Sequence, residues 1–277
     1  LQSAFQNFVS SIPFYGFKVL CIDHPVVQKL IPINKDRRLL TYGLSATADV
    51  KAININYHDE FTSFDIILSE KIINNSTTWK EMKLPMHGLH NVLNCLASIT
   101  VAVEMGISEK KIRNSLESFK GISRRFENKG TSNSGITIID DYGHHPVEIN
   151  YALSSGRIIA KKNQLIAVFQ PHRYSRLKDL FNEFCGCFNN ADVVIVADVY
   201  AAGENAIEGF NKETLAAGIS DYGHKNVSLL KSEDDLCATI YELANPNDVV
   251  IFLGAGNITK WSDNIISNID KYRGKKC

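Results

Sequence analysis

The second half of the chain alternates short apolar runs with amphipathic stretches. Five of these runs are almost continuously apolar and rich in β-branched residues. Such a run is typical of a strand covered on both faces, and its alternation with helical patterns predicts βαβ units around a mostly parallel sheet. The predicted strands are Ile136–Asp140, Leu165–Phe169, Val193–Asp198, Val227–Leu230 and Val249–Leu253.

Helices are predicted between and after these strands. Pro146 suits the first turn of a helix, and Ser232 followed by Asp235 resembles a capping box in which Asp replaces the usual Glu or Gln. The predicted helices begin near Pro146, Ser175, Lys212, Ser232 and Ile258.

Residues 1–119 follow a different pattern, with four strands clustered between two groups of helices. This half begins on a helix without a preceding strand, and we expect a domain whose beginning lies outside the chain. The likeliest boundary is Lys120–Gly121, which divides the chain into domains 1–120 and 121–277. The predicted helices are Ala4–Ser11, one after Pro25, about Gly88–Met105 and Glu109–Phe119; the predicted strands are Val19–Ile22, Leu39–Tyr42, Val50–Tyr57, Phe64–Leu68 and Thr78–Lys83.

Length and composition narrow the class of protein. A chain of 277 residues is long for one hydrophobic core and sufficient for two. The 30 basic and 30 acidic residues cancel, so no net field favours nucleic acid or an anionic membrane as a partner. No apolar run approaches the length of a membrane span, and the six scattered cysteines fit a reducing cytoplasm. We therefore expect a cytoplasmic protein whose ligands are small molecules.

Polar residues follow the first three predicted strands of the second half, in segments 140–148, 170–176 and 198–204. Ligands of open α/β sheets bind at the carboxyl ends of the strands, so these segments are expected to bring acids, histidines and arginines to one rim. A structural alternative exists for each group. Asp140 and Asp141 could be solvated carboxylates at a strand end, and the neighbouring histidines could cap a helix.

Arg173 and Arg176 lie three residues apart at the start of a predicted helix. This spacing places them on one face, where two guanidinium groups could hold one carboxylate or phosphate. Cations near a helix amino terminus oppose the helix dipole, and an anionic ligand would offset that cost. The pair therefore favours a binding role over a structural one.

The first half contributes amides at the start of an apolar helix. Asn91 and Asn94 lie one turn apart, and paired amides can bind the donor and acceptor edge of a purine. Arg124 and Arg125 lie at the expected domain junction, where a ligand could be bridged. The run Gly254–Ile258 lacks the third glycine of a dinucleotide loop, so a tight turn before the last helix is the better interpretation.

Taken together, these motifs closely resemble the Mur ligase family, in order and in spacing, over essentially the whole chain. The motifs that carry the resemblance are His-Asn-x-x-Asn at 90–94, Arg-Arg-Phe at 124–126, Asp-Asp-Tyr-Gly-His-His-Pro at 140–146, Gln-Pro-His-Arg-Tyr-Ser-Arg at 170–176 and Asp-Val-Tyr-Ala-Ala-Gly-Glu at 198–204.

The resemblance implies an α/β fold, with an incomplete central ATP-binding domain at 1–120 and a Rossmann-like carboxy-terminal domain with a mostly parallel sheet at 121–277. The family's phosphate loop, Gly-x-x-Gly-Lys-Thr-Thr, has no counterpart in the chain. The residues that hold Mg²⁺ in the family are expected in the missing part as well. The chain alone is therefore expected to lack turnover.

The last three motifs are similar to the family member that joins L-alanine to the lactyl carboxylate of UDP-N-acetylmuramate through an acyl phosphate, in peptidoglycan synthesis. The resemblance implies three groups of site residues in this chain. They are His90, Asn91, Asn94, Asp141 and Arg125 for ATP; Tyr142, His144, Arg173 and Arg176 for L-alanine; and Arg125 and His144 as catalytic groups.

Two alternatives remain at this point. The first is a related Mur-type ligase that recycles a whole tripeptide, whose pattern differs in the 140–146 and 170–176 motifs. The second is a nucleotide-binding or partner-binding module without turnover. The amino acid that the enzyme prefers separates the first from the leading interpretation.

Overall fold

The computed structural model describes residues 2–34, 37–58, 60–73 and 76–276, and for 273–276 it describes the backbone alone. The chain forms two compact units, residues 1–120 and 121–277. Within the described residues no helix is both long enough and apolar enough to cross a membrane. Each unit has its own sheet and its own core.

The first unit contains a five-stranded sheet in the order β1-β2-β3-β4-β5. Its first three strands are parallel, and β4 and β5 continue the sheet as antiparallel strands. Apolar residues alternate along β4, so one face packs against α3 and the other is more exposed. The strands are β1 Phe17–Cys21, β2 Arg38–Gly43, β3 Val50–Tyr57, β4 Thr62–Leu68 and β5 Thr77–Leu84; the helices are α1 Gln2–Ser10, α2 Pro25–Gln28, α3 Leu89–Glu104 and α4 Glu109–Glu117, with a 3₁₀ turn at Pro32–Asn34.

The second unit contains a six-stranded sheet in the order β10-β9-β8-β11-β7-β6. Five strands are parallel, and β6 pairs antiparallel to β7 at one edge. The predicted α/β class with a mostly parallel sheet is therefore confirmed. The strands are β6 Glu127–Thr131, β7 Thr137–Asp141, β8 Leu165–Phe169, β9 Val193–Val196, β10 Val227–Leu229 and β11 Val249–Leu253.

Helices cover both faces of this second sheet, which explains why β8 and β11 are apolar at every position. One core contains side chains of α5, α7 and α8, and the other contains side chains of α9 and α10. Each fully buried Phe or Ile side chain contributes roughly 1.5–3 kcal/mol. The helices are α5 Pro146–Ala160, α6 Tyr174–Asp179, α7 Phe181–Gly186, α8 Lys212–Asp221, α9 Leu236–Leu243 and α10 Ile258–Lys276.

Two local predictions were wrong, and one strand was missed. The helix expected from Ser175 breaks at Leu180 into two short helices. The helix expected at Ser232 begins four residues later, because the Ser232 hydroxyl donates to the Asp235 carboxylate (2.7 Å) and forms no capping box. Strand β6 was not predicted, since Glu-Asn-Lys-Gly-Thr carries no apolar alternation.

Candidate active site

The polar segments of the second unit meet at the carboxyl edge of its sheet. Strand β11 lies between β7 and β8, so the first two polar segments, 140–148 and 170–176, follow strands that are not neighbours in the sheet. The chain leaves β11 at Gly254, whose φ of +154° and whose closeness to the carbonyl oxygen of Gln170 exclude a larger residue. The rings of His144 and His172 still approach to 5.9 Å between centroids. The two segments therefore meet at this edge.

Four aromatic side chains form a row along this edge. The ring of Tyr142 lies 5.0 Å from that of His144, edge to face, and the ring of His172 lies 5.4 Å from that of Tyr200, stacked. A parallel bridge joins residues 172 and 200, and the Tyr200 N–H donates to the Pro171 carbonyl (2.8 Å). This backbone pairing fixes the 170–176 and 198–204 segments side by side.

The ring of His172 is held in one tautomer. Nη1 of Arg176 donates to its Nδ1 (3.2 Å) and to its carbonyl oxygen (3.1 Å). A guanidinium group only donates, so Nδ1 is unprotonated and Nε2 carries the proton. Burial lowers the pKa of His172, and the charge of Arg176 lowers it further. His172 is therefore a neutral hydrogen-bond donor at neutral pH.

His144 takes the opposite tautomer. Its Nδ1 lies 2.9 Å from the carbonyl oxygen of Tyr142, which only accepts, so Nδ1 carries the proton. In the neutral ring Nε2 then has a free lone pair. Glu148 holds the same loop by accepting from the backbone N–H groups of His144 and His145. His144 is thus arranged as a proton acceptor.

Arg173 lies at the start of α6 with an unusual backbone, φ 72° and ψ 134°. A residue other than glycine adopts this region at a cost of about 1–3 kcal/mol, and such strain clusters at functional sites. Its backbone N–H donates to the carbonyl oxygen of Tyr200 (2.9 Å), and its guanidinium lies 3.7 Å from Glu204. The Glu204 carboxylate also accepts from the N–H and hydroxyl of Ser175, which lowers its pKa. Glu204 therefore stays ionised beside the arginine.

Two guanidinium groups lie close to the ring of Tyr142. Arg124 lies over its ring at 4.6 Å and Arg125 at 5.3 Å, within cation–π range. Nη2 of Arg124 also donates to the carbonyl oxygens of Gly254 (2.9 Å) and Gly256 (3.3 Å). Arg124 is engaged in holding the loop, whereas Arg125 is exposed.

The two acids at the end of β7 are buried, so their interpretation as solvated carboxylates was wrong. Asp141 is 7% exposed and accepts from the N–H groups of Gly143 (2.7 Å) and Phe126 (2.8 Å). Burial raises its pKa to about 6, and the backbone hydrogen bonds partly offset that shift. Asp140 is fully buried, and burial raises its pKa as well. Asp141 therefore fixes the 124–126 segment against the strand.

The neighbouring histidine His145 has a structural role. Its Nδ1 accepts from the N–H of Val147, so the ring caps α5, and Glu148 completes the capping box. The capping alternative thus applies to His145 and not to His144.

In the first unit, the candidate adenine-binding residues lie at the start of α3. Asn91 is buried, and its amide donates to the His87 carbonyl (2.7 Å), whereas no described residue donates to its amide oxygen. Asn94, one turn later, is exposed. His90 is partly buried on the same turn.

Four residues of this edge were absent from the predicted site: Arg124, His172, Tyr200 and Glu204. All four lie within the motifs quoted from the sequence, which was the available signal. Their contacts depend on how loops that are remote in sequence meet, and a sequence motif alone does not predict which loops meet. Across residues 2–34, 37–58, 60–73 and 76–276 no group of three histidine, cysteine or acidic side chains could hold a metal ion.

Comparison with known families matches each unit separately. Residues 2–102 match the Mur ligase middle domain, and residues 124–256 match the glutamate ligase domain of Mur ligases. The chain belongs to the Mur ligase family.

Two of the similar proteins align over nearly the whole chain. The chain is 50% identical over 273 residues to the UDP-N-acetylmuramate–L-alanine ligase of Rhodospirillum centenum and 47% identical over 276 residues to that of Rhodospirillum rubrum. The alignments include 99% and 100% of this chain, but only 56% and 57% of the length of those two relatives. The crystal structure of the UDP-N-acetylmuramate–alanine ligase MurC from Thermotoga maritima shares the fold, with a TM-score of 0.76 at 23% identity, over 99% of this chain and 55% of that one.

Proposed function

We propose that the chain is part of an ATP-dependent ligase that joins L-alanine to the lactyl carboxylate of UDP-N-acetylmuramate in peptidoglycan precursor synthesis, in the cytoplasm. Relatives named UDP-N-acetylmuramate–L-alanine ligase align over nearly the whole length of the chain. The observation that carries the proposal is the edge of the second sheet, where Arg176 contacts His172 beside His144 and Arg173 pairs with Glu204.

The reaction has two steps in this proposal. The lactyl carboxylate attacks the γ-phosphorus of ATP, which forms an acyl phosphate and releases ADP. The amine of L-alanine then attacks the acyl carbon, loses a proton, and the C–O bond to phosphate breaks. Such catalysis depends on positioning the reactants and neutralising charge.

The two arginines would bind the carboxylate of L-alanine. Alanine offers a methyl, an ammonium and a carboxylate, so most of its orientation comes from the carboxylate, which planar guanidinium groups bind in a bidentate manner. Arg176 is held in place by His172, and Arg173 by its fixed backbone and by Glu204. The groups are therefore arranged before the ligand arrives, which reduces the entropic cost of binding.

His144 is the proposed proton acceptor for the alanine amine. Its Nδ1 donates to the Tyr142 carbonyl, so Nε2 of the neutral ring is free to accept. His172, in the opposite tautomer, would instead donate from Nε2. The two rings thus provide one acceptor and one donor within 5.9 Å.

Each unit contains residues that suit one part of ATP. Asn94 and the free amide oxygen of Asn91 suit the adenine edge, together with His90, and the exposed Arg125 suits the γ-phosphate. The Asp141 oxygens each accept one backbone N–H and retain a lone pair for a ribose hydroxyl. Mg²⁺ would accompany the nucleotide, and we assign it no ligand among the described residues.

Phosphate release tests the proposal on the full protein that the gene encodes. We expect release only when UDP-N-acetylmuramate, L-alanine and Mg·ATP are all present. Phosphate release that does not need L-alanine contradicts the proposal. A preference for a tripeptide over L-alanine assigns the protein to the recycling branch instead.

A further inference from the structure

Tyr200 forms one end of the aromatic row. One face of its ring stacks on His172, with 5.4 Å between centroids and 16° between planes. Its backbone is fixed on both sides, since its N–H donates to Pro171 and its carbonyl accepts from Arg173. At Gly256, an added Cβ would lie only 2.7 Å from Cγ of Tyr200. The ring therefore has a defined position against the candidate alanine site.

A cavity of about 270 Å³ borders Tyr200. For comparison, an engineered cavity of about 150 Å³ holds a benzene molecule. None of the residues assigned to L-alanine lines the cavity. Of the aromatic row, Tyr200 alone is among its lining residues. Its lining is part apolar and part charged, and includes Val199, Leu230 and Trp261 as well as the acids Asp198 and Glu233.

The position of the arginines limits where an amino-acid side chain can extend. With the carboxylate on Arg173 and Arg176, the side chain leaves Cα near His172, which Arg176 contacts. In one direction along the row it meets His144 and Tyr142, and in the other it meets Tyr200. A cavity able to hold further atoms adjoins the Tyr200 end.

We propose that the Tyr200 ring limits the amino-acid substrate to a small side chain by separating the carboxylate-binding arginines from this cavity. The inference rests on the proposed function, since it concerns the specificity of that same site. A hydrophobic pocket discriminates weakly against a side chain that is one methylene larger, by roughly 10- to 200-fold. The Tyr200 ring should exclude longer side chains more strongly, because displacing it breaks its stack on His172.

The test compares amino acids in the full protein that the gene encodes. The measured quantity is kcat/KM for L-alanine, L-2-aminobutyrate and L-methionine, by phosphate release with UDP-N-acetylmuramate and Mg·ATP. Tyr200→Ala should lower the ratio of the L-alanine to the L-methionine value by about tenfold or more. Tyr200→Phe, which keeps the ring, should preserve the wild-type ratio. Tyr222→Ala, which removes an exposed tyrosine of the same unit, is the matched control and should preserve it too.

An unchanged ratio in folded Tyr200→Ala overturns the proposal, and so does an equal loss of selectivity in Tyr200→Phe. If Tyr200→Ala does not fold, Tyr200→Leu retains part of the bulk and should give a smaller shift in the same direction; no shift there also overturns it. If the wild-type protein releases no phosphate in response to L-alanine, the proposed function fails and this inference fails with it. An alanine-selective wild type with an unresponsive Tyr200 removes this inference alone.

Discussion

Replacing Arg176 by lysine tests the assignment of the carboxylate site. In the structure Nη1 of Arg176 is engaged with His172, while within the described residues Nε and Nη2 donate to no protein atom. These two nitrogens lie on one edge of the guanidinium group, where a carboxylate is bound by two parallel hydrogen bonds. A lysine ammonium offers no such planar pair.

The expected loss follows from that geometry. Removing one charge-assisted hydrogen bond to L-alanine costs about 1.5–3 kcal/mol, which corresponds to roughly a 10- to 100-fold fall in kcat/KM for alanine. Most of the change should appear in the KM for L-alanine, and the KM for ATP should change little. Arg173→Lys should act in the same direction, although its guanidinium is half exposed.

The assay is steady-state phosphate release by the full encoded protein, together with thermal unfolding of each variant. Lys178→Met is the matched control, because it removes an exposed cation from the same short helix without touching the site. If Arg176→Lys lowers the unfolding temperature but leaves the KM for L-alanine at the wild-type value, Arg176 only stabilises the loop. That result would refute the assignment.

Three further predictions concern the chain itself. The 277-residue chain should show no ligase turnover, because it contains no phosphate-loop motif; phosphate release above background with all three substrates would contradict this. Burial raises the pKa of Asp141 to about 6, so the folded state binds its proton more tightly than the unfolded state does. The difference in the free energy of unfolding between wild type and Asp141→Asn should therefore fall by roughly 1–3 kcal/mol as pH rises from about 4 to about 6, and then stay level. Hydrogen exchange of the second sheet measures this difference, and an increase with pH would refute the prediction. Gly254→Ala should destabilise the second unit by about 1–3 kcal/mol, since the new Cβ would lie 2.9 Å from the Gln170 carbonyl oxygen at a residue with positive φ. Gly186→Ala is the control, because its Cβ would make only ordinary van der Waals contacts. Equal destabilisation of the two variants in thermal unfolding would contradict this reasoning.

Hydrophobic periodicity was sufficient to predict most of the fold. Leu165–Phe169 and Val249–Leu253 were predicted at their observed bounds, because strands buried on both faces are continuously apolar. Strand β6 could not be found this way, since it is held by backbone pairing to β7 at the edge of the sheet. The pattern could not predict the order of strands in the sheet either. Strand β11 lies between β7 and β8, and that placement depends on packing between remote segments.

The sequence could predict which segments form the candidate site, but not which side chains contact each other there. The 140–148, 170–176 and 198–204 segments follow strands, so their meeting at one edge could be expected. The tautomers of His144 and His172 could not, because each depends on a partner chosen by the folded loops. The burial of Asp141 was missed for the same reason.

The most direct test of the account follows an isotope through the reaction. The full encoded protein is supplied with UDP-N-acetylmuramate labelled with ¹⁸O in its lactyl carboxylate, L-alanine and Mg·ATP, and the products are measured by mass spectrometry. We expect one amide bond to L-alanine for each phosphate released, and one ¹⁸O atom in that phosphate. Amide formation with unlabelled phosphate would contradict the acyl phosphate mechanism, and phosphate release without the amide would contradict the proposed function.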